Sequence, residues 1–220
     1  MICGMTASTP VTVSAPLGSK DKLAELKALF AAERERARKL KRGSRWSVKD
    51  LPSREAAARR AEWEIHKAKL QEHGQLVDTR DVMVAYGVRL ELKRRGWGRK
   101  TWPPLPREAL TGGRWPGSRD VNCPDQIPVR LPSDLVLRVR SACWHTSAPA
   151  IALLRDWRDA HPSALPWEGF RSDEEHEALA EYEHLAAEVT TAGEIWRAGL
   201  KLGLTHAATL PLPRQPQSAG

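Results

Sequence analysis

One stretch of the chain brings together residues that suit contacts with a nucleic acid. Between residues 93 and 104, basic side chains alternate with indole rings in a segment that also contains glycine and proline. Cations neutralise a phosphate backbone, and indole rings can stack on exposed bases. The candidate binding residues of this stretch are Arg94, Arg95, Trp97, Arg99, Lys100 and Trp102. In the alternative, the rings pack the segment onto neighbouring helices, with arginine side chains lying on the ring faces.

A second group of candidates lies in a short run with the period of a β-strand. Its apolar residues alternate with residues that point to the opposite face, as expected for a half-buried strand. The inward set is Ile127, Val129 and Leu131, and the outward set is Gln126, Pro128 and Arg130. Within the outward set, Pro128 offers no side-chain donor and removes one ladder N–H.

Two helices are expected to follow this strand. Ser133 is a suitable N-cap for the first, whose apolar residues share one face as far as Cys143. The segment from His145 to Ser147 is expected to break this helix, and Ser147 would cap a second one with Pro149 in its first turn.

The segment from residue 126 to residue 160 resembles the ribbon-helix-helix DNA-binding fold. The resemblance is carried by the strand, the sequence Arg-Leu-Pro-Ser-Asp-Leu, a Thr-Ser turn and a second apolar helix. It implies that two chains pair their strands into an antiparallel ribbon that enters the major groove, and hence that the protein is a homodimer. The resemblance also implies that Gln126, Pro128 and Arg130 face the bases, with Gln126 and Arg130 as the candidate base contacts. It further implies that backbone N–H groups around Ser147 meet a phosphate at a helix start, which makes Ser147 another candidate contact. In the alternative, the same segment is a strand edge and a helical hairpin inside a larger domain.

A second resemblance covers residues 55–107. An Ala-, Glu- and Lys-rich helix, the sequence Gly-Gln-Leu-Val-Asp, a further helix and a later Leu-Pro-Arg resemble a segment of phage terminase small subunits. That family is largely helical, and the resemblance implies an oligomer that recognises viral DNA for packaging. The same pattern is also compatible with an ordinary helical hairpin.

The remaining sequence predicts a mainly α fold. We expect a helical N-terminal region, a short strand-helix-helix unit and a long C-terminal helix. The expected segments are a disordered N-terminus at 1–18, a helical region at 19–100, a loop rich in Trp, Pro, Gly and Arg at 101–125, the strand-helix-helix unit at 126–160, a linker at 161–171, the C-terminal helix at 172–203 and a disordered tail at 204–220.

Composition narrows the class of function. A formal charge of +8 and a pI near 9.7 favour an acidic partner, of which nucleic acid is the commonest. The three cysteines, Cys3, Cys123 and Cys143, are widely spaced and predict no disulfide framework. No motif for a catalytic, metal or cofactor site is recognisable, so we expect no enzyme activity. The sequence lacks a long apolar run and a secretory signal pattern, which predicts a cytoplasmic protein without membrane contact.

These observations lead to two alternative functions. The first is a DNA-binding protein of a bacterial plasmid or phage, acting in regulation or in marking DNA for transfer or packaging. The mobile-element part of this prediction follows from the two resemblances alone. The second is a helical adaptor that forms oligomers without sequence-specific DNA binding. A single contiguous face of basic residues would favour the first, and scattered basic residues would favour the second.

Overall fold

A two-stranded ribbon pairs a strand near the N-terminus with a strand from the middle of a mainly helical chain. The computed structural model describes residues 7–42, 46–49, 51–110, 115, 122–162 and 172–210. Its elements in chain order are β1 (Ser8–Ala15), α1 (Ser19–Glu25), α2 (Lys27–Arg42), α3 (Ser53–Glu72), α4 (Arg80–Arg94), α5 (Arg107–Leu110), β2 (Asp125–Pro132), α6 (Ser133–Ala160), α7 (Asp173–Ala187) and α8 (Ala192–Thr209). The predicted mainly α class is confirmed.

β1 and β2 pair in antiparallel register, with Ser14 opposite Gln126 and Pro10 opposite Arg130. Ile127, Val129 and Leu131 are buried, and the residues between them are exposed, which confirms the alternation predicted for β2. β1 was predicted to be disordered, and this prediction is wrong. In β1, residues that face the core alternate with exposed residues, although most of its side chains are small or polar. Val13 and Ala15, the last two that face inwards, pack into the core.

Proline does not prevent this pairing, and the register explains why. Pro10 lies opposite Arg130, and Pro128 lies opposite Thr12. Hydrogen-bonded and non-hydrogen-bonded residue pairs alternate along an antiparallel ladder, so two pairs that are two positions apart are of the same kind. Because proline has no N–H, it fits the non-hydrogen-bonded pairs, in which that group points away from the partner strand. The two prolines therefore interrupt the outer edges of the ribbon and leave its central ladder intact.

The core behind the ribbon is built on a close crossing of α4 and α8. Gly87 of α4 faces the backbone of Gly199 and Gly203 on α8, and a Cβ added at Gly87 would lie only 2.6 Å from the Gly203 nitrogen. Small residues at a helix crossing allow the backbones to approach. The surrounding apolar side chains join this helix pair to the ribbon and to the start of α6, and include Val84, Val88, Leu200, Ile127, Leu131 and Leu135.

α6 is one continuous helix, so the predicted break between His145 and Ser147 is wrong. Pro149 lies inside it and cannot donate a backbone hydrogen bond. The helix continues because its apolar face continues: Trp144, Ile151 and Leu154 are buried together on both sides of the expected break. The fold class therefore holds, but the unit after β2 contains one long helix where two were expected.

The C-terminal region differs in the opposite way. The single helix expected at 172–203 is divided into α7 and α8, and α8 extends to Thr209. Thr191 lies between them and caps α8, because its side chain accepts a hydrogen bond from the Glu194 amide. Parts of five predicted segments lie outside the described residues, namely 1–6 of the N-terminus, 43–45 and 50 of the helical region, 111–114 and 116–121 of the loop, 163–171 of the linker and 211–220 of the tail.

Candidate nucleic-acid interface

The basic and aromatic stretch forms a loop that is fixed to the helices around it. Gly96 follows α4 with a φ of 72°, which lets the chain turn sharply, and the Trp97 amide then donates to the Leu92 carbonyl at 2.7 Å. On the other side, Arg138 of α6 donates to the Gly98 carbonyl at 3.0 Å, and His145 contacts the Pro103 carbonyl at 3.0 Å. The loop therefore has a defined position against α4 and α6.

The indole rings of this loop are used mainly for packing. Trp97 and Trp102 meet edge to face with 6.0 Å between their centroids, and the His145 ring lies parallel to Trp102. The Lys100 ammonium lies 4.1 Å from the Trp102 centroid, and the Arg95 guanidinium lies 5.2 Å from the Trp97 centroid. The structure thus favours the packing alternative, in which the rings support cations, over open platforms for base stacking.

Two of the candidate arginines are held by a buried carboxylate. Glu91 is 1% exposed and accepts hydrogen bonds from Arg94 at 2.7 and 2.9 Å and from Arg95 at 2.6 Å. The hydrogen bond from Arg94 is the main reason why the pKa of Glu91 lies below its ordinary value of 4.5, with Arg95 contributing and burial opposing. Arg94 and Arg95 therefore have a structural role at the C-terminal end of α4, where they neutralise the Glu91 carboxylate.

Replacing Glu91 with glutamine is expected to destabilise the fold at neutral pH. The variant loses hydrogen bonds to two charged groups, which corresponds to about 1–3 kcal/mol of unfolding free energy. A lowered folded pKa means that the carboxylate stabilises above the ordinary value and loses this effect as the pH falls through the folded value. Urea titrations should therefore show a larger difference between wild type and variant at pH 7 than near pH 4, below the ordinary pKa of the carboxyl group.

The matched control for this experiment is Glu64→Gln, which removes the same charge from an exposed position on α3. Its stability should follow that of the wild type at both pH values. Equal stability of Glu91→Gln and Glu64→Gln at pH 7 would contradict the structural role of Glu91.

Beside the loop lies a groove of about 810 Å³ lined by several cations. Arg89 and Lys93 reach it from successive turns of α4, Arg99 from the loop, and Arg138 from α6. Two carboxylates, Glu72 and Asp134, also line it, and Glu72 lies 3.9 Å from Arg89. The balance of charge in this groove is positive, as a binding site for an anion requires.

This groove continues along β2 through shared walls. A second groove contains Arg130 of β2 and shares Arg89, Glu72 and Asp134 with the first. A third, of about 520 Å³, contains Gln126 and Pro128 and shares Asp81 with the second. We call the cations that line the three grooves the cationic strip: Lys20, Lys27, Arg80, Arg89, Lys93, Arg99, Arg130 and Arg138.

The members of the cationic strip differ in how far they are neutralised. Lys20 lies 4.0 Å from Asp125, and Arg80 lies 3.7 Å from Asp81. Five members make no ion pair with another residue that the structure describes. Of these, Arg138 donates a hydrogen bond to the Gly98 carbonyl, and the other four are Lys27, Lys93, Arg99 and Arg130. Charges without an internal partner are the ones available to an external phosphate.

The structure divides the predicted contact residues into exposed residues, residues that take part in internal contacts, and one fully buried serine. Gln126 and Arg130 lie on the exposed face of the ribbon, as predicted, and Arg99 and Lys100 are exposed on the loop. Arg94, Arg95, Trp97 and Trp102 take part in internal contacts.

Ser147 has the clearest departure from its predicted role. It is fully buried in the middle of α6, where its hydroxyl accepts from the Thr190 amide at 2.9 Å. The same hydroxyl lies 3.3 Å from the Thr190 carbonyl. The phosphate contact predicted for Ser147 required a helix start, and the continuous helix provides none there.

Sequence reasoning missed Arg89, Lys93 and Arg138. The first two are four residues apart on α4 and therefore lie on the same side of the helix, which is a signal that the sequence contains. Arg138 had no such signal, since its place beside the loop depends on how α6 packs. Helical periodicity also separates Lys93 from Arg94 and Arg95, which turn towards Glu91.

Two observations concern metal binding and cysteine chemistry in the described residues. These residues contain no group of three or more His, Cys, Asp or Glu side chains able to hold a metal ion. Burial raises the pKa of Cys143 to about 12, so its thiol stays protonated and unreactive at neutral pH. None of the helices in the described part of the chain has the length and apolar character needed to cross a membrane.

Comparison with known proteins gives no indication of function, so the argument for function rests on the candidate interface. No protein family, curated protein or solved structure matches this chain.

Proposed function

We propose that this protein binds duplex DNA, with the cationic strip on the phosphate backbone and the exposed face of the ribbon on the base edges. The observation that carries this proposal is the continuity of the strip along the edge of β2 that does not pair with β1. Eight cations and three carboxylates, Glu72, Asp81 and Asp134, line the three grooves. This surplus supports a polyanionic partner, and its extended shape suits a backbone better than a small anion.

The ribbon supplies the second half of the proposal. A two-stranded antiparallel ribbon fits the major groove of B-DNA, which presents a distinct donor and acceptor pattern for each base pair. Gln126 and Arg130 project from its exposed face, and the strip lies beside the same strand. Phosphate contacts would thus fix the position of the ribbon, and side chains on the ribbon would read the sequence.

Duplex DNA is favoured over a single strand by the state of the indole rings. Stacking on a base contributes about 1–3 kcal/mol when an aromatic ring is free to receive it. Here a base would have to displace Lys100 from Trp102, or Arg95 from Trp97 and from Glu91. Each displacement gives up a cation–π contact of about 0.5–1 kcal/mol and moves a cation away from the backbone, so part of the free energy gained by stacking is offset.

The biological setting remains a prediction from the two resemblances. They imply a bacterial plasmid or phage protein that acts in regulation or in marking DNA for transfer or packaging. The cytoplasmic location is a separate prediction from the sequence. The resemblance to the ribbon-helix-helix fold also implied a homodimer formed by strand pairing. That reason for a dimer is removed, since β2 is already paired with β1 of the same chain.

Replacing Arg130 with alanine is expected to weaken binding to the preferred DNA site by about 1–3 kcal/mol. An arginine in this position can bond guanine O6 and N7 together, and its loss should relax the preference at one base pair. The preferred site is first obtained from random genomic fragments by retention and sequencing. Titrations of that site and of a scrambled duplex then compare wild type with variant, and the loss should be much smaller on the scrambled duplex.

Arg140→Ala is the control, because Arg140 is exposed on α6 and lines none of the three grooves. Equal losses for both duplexes would reduce Arg130 to a phosphate contact.

A helical adaptor is the second candidate function, and exposed leucines favour it. Leu137 and Leu153 of α6 are 55% and 50% exposed, and Leu17 is 82% exposed. Single exposed apolar residues are common on soluble proteins, so this observation is weaker than a continuous cationic strip. If no genomic fragment is retained and sedimentation shows association that increases with concentration, the adaptor replaces DNA binding as the proposed function.

A further inference from the structure

We infer that one copy of this chain carries a complete sequence-reading surface, and that this surface recognises a short DNA site without two-fold symmetry. The inference rests on the proposed function and concerns the ribbon within the same site. It follows from the origin of the two strands. β1 and β2 belong to one chain, so the ribbon is formed before any second copy is present.

The two strands present different side chains to the exposed face. β1 contributes Pro10, Thr12 and Ser14, and β2 contributes Gln126, Pro128 and Arg130. A ribbon made from two identical strands has a two-fold axis through its centre, and its DNA site shares that symmetry. This ribbon has no such two-fold symmetry, because different residues lie opposite each other: serine opposite glutamine, threonine opposite proline, and proline opposite arginine.

The edges of the ribbon also argue against extension by a second copy. Pro10 interrupts the outer edge of β1, and Pro128 interrupts the outer edge of β2, where each removes an N–H that a further strand would need. The edge of β2 is in addition bordered by α1 and α4 across the grooves that contain the cationic strip. A symmetrical four-stranded arrangement is therefore disfavoured on both sides.

β1 then becomes part of the reading surface, which sequence patterns did not indicate. Thr12 is exposed, and its methyl group and hydroxyl suit contact with a thymine methyl or a base edge. The Ser14 hydroxyl donates to Oε1 of Gln126 at 3.2 Å, so it orients the amide that faces the DNA. We assign Thr12 as a specificity-determining residue and Ser14 as a positioning residue for Gln126.

The size of the surface sets the length of the site. From Gln126 to Arg130 the strand advances by four residues, or about 14 Å at about 3.4 Å per residue. Base pairs in DNA are about 3.4 Å apart, so the ribbon covers about four base pairs. The cationic strip continues beyond the ribbon and adds backbone contacts that carry no sequence information.

The test is selection of bound sequences from a random duplex library, followed by sedimentation of the selected duplex with the full chain. We expect a preferred core of about four base pairs that is not palindromic, and a complex of one chain per site. Thr12→Val and Ser14→Ala should each change the preferred base at one position of the core and leave binding to scrambled duplex within about twofold. Both residues are on the exposed side of the ribbon, so circular dichroism should show an unchanged fold.

Three results overturn the inference, and they can be told apart. A palindromic core bound by two chains would show that a symmetrical dimer reads the DNA. Retention of duplex without any preferred core would leave the cationic strip as a non-specific site, with the proposed function intact. Failure to retain any duplex would overturn the proposed function itself.

Discussion

Gly87→Ala is expected to lower the free energy of unfolding by about 3 kcal/mol or more, a large part of the stability of an ordinary domain. The added methyl group would collide with the backbone of α8 at Gly199 and Gly203, and backbone atoms cannot turn away as a flexible side chain can. The two helices would have to separate. Overpacking of a core usually costs about 1–3 kcal/mol, and here the shift also loosens the contacts between α4, α8 and the ribbon.

The sign of this effect is informative, because helix propensity alone predicts the opposite result. Alanine is better than glycine in the interior of a helix by about 0.5–1 kcal/mol. Gly193 lies in the first turn of α8, and a Cβ there would meet the end of the flexible Arg197 side chain at 3.4 Å. Gly193→Ala should therefore leave stability unchanged or raise it slightly.

Urea denaturation of wild type and both variants, followed by circular dichroism, tests this contrast. A Gly87→Ala protein as stable as Gly193→Ala would show that α4 and α8 do not cross as closely as described.

Local patterns explain which parts of the fold could be predicted. The alternation of buried and exposed residues in β2 depends on residues within a few positions, and it is found in the structure. The same holds for the N-cap of α4, where the Thr79 hydroxyl accepts a hydrogen bond from the Val82 amide. The end of α3 at Glu72, followed by Gly74 with a φ of 70°, is equally local. In each case the side chains that determine the conformation are neighbours in sequence.

The features that could not be predicted depend on distant residues. β1 pairs with a strand more than one hundred residues away, and its small side chains give too weak a period to identify it alone. The length of α6 is set by an apolar face that packs on α7 and on Val189, which outweighs the local signals to break at Ser147 and Pro149. Local turn signals were overruled by burial in both segments.

The candidate site shows the same division between local and distant information. The sequence identified a basic segment, but it could not show which cations point outwards. Glu91 lies next to the basic run and was not recognised as the residue that holds Arg94 and Arg95. A carboxylate three or four residues before two arginines on a helix is a signal of internal pairing, and it separates structural arginines from available ones.

Replacing Lys27, Lys93 and Arg99 together with glutamine is expected to weaken binding to any duplex by two to three orders of magnitude near 0.1 M salt. These residues line the cationic strip and make no ion pair with another residue that the structure describes. Each lost phosphate contact lowers the slope of log affinity against log salt by about 0.9, so the triple variant should lose about three times this amount. Titrations between about 0.05 and 0.5 M salt measure the slope directly.

The control must remove the same charge elsewhere, because a net charge of +8 alone attracts DNA. Lys39, Arg42 and Arg60 are exposed on α2 and α3, and none of them lines the strip. Replacing these three with glutamine leaves the same net charge as the first triple variant. If DNA contacts the strip, the salt slope of this control should stay close to that of the wild type.

The comparison of the two triple variants decides between a site and a general attraction. Contacts between a cation and a phosphate release bound counterions, whereas a distant charge acts only through a field that is screened within about 10 Å at 0.1 M salt. A strip that contacts DNA therefore predicts different slopes for two proteins of equal net charge. Equal slopes for the two variants would remove the strip as an interface, and DNA binding would then have to be sought on the basic half of α2, where Lys39 and Arg42 lie.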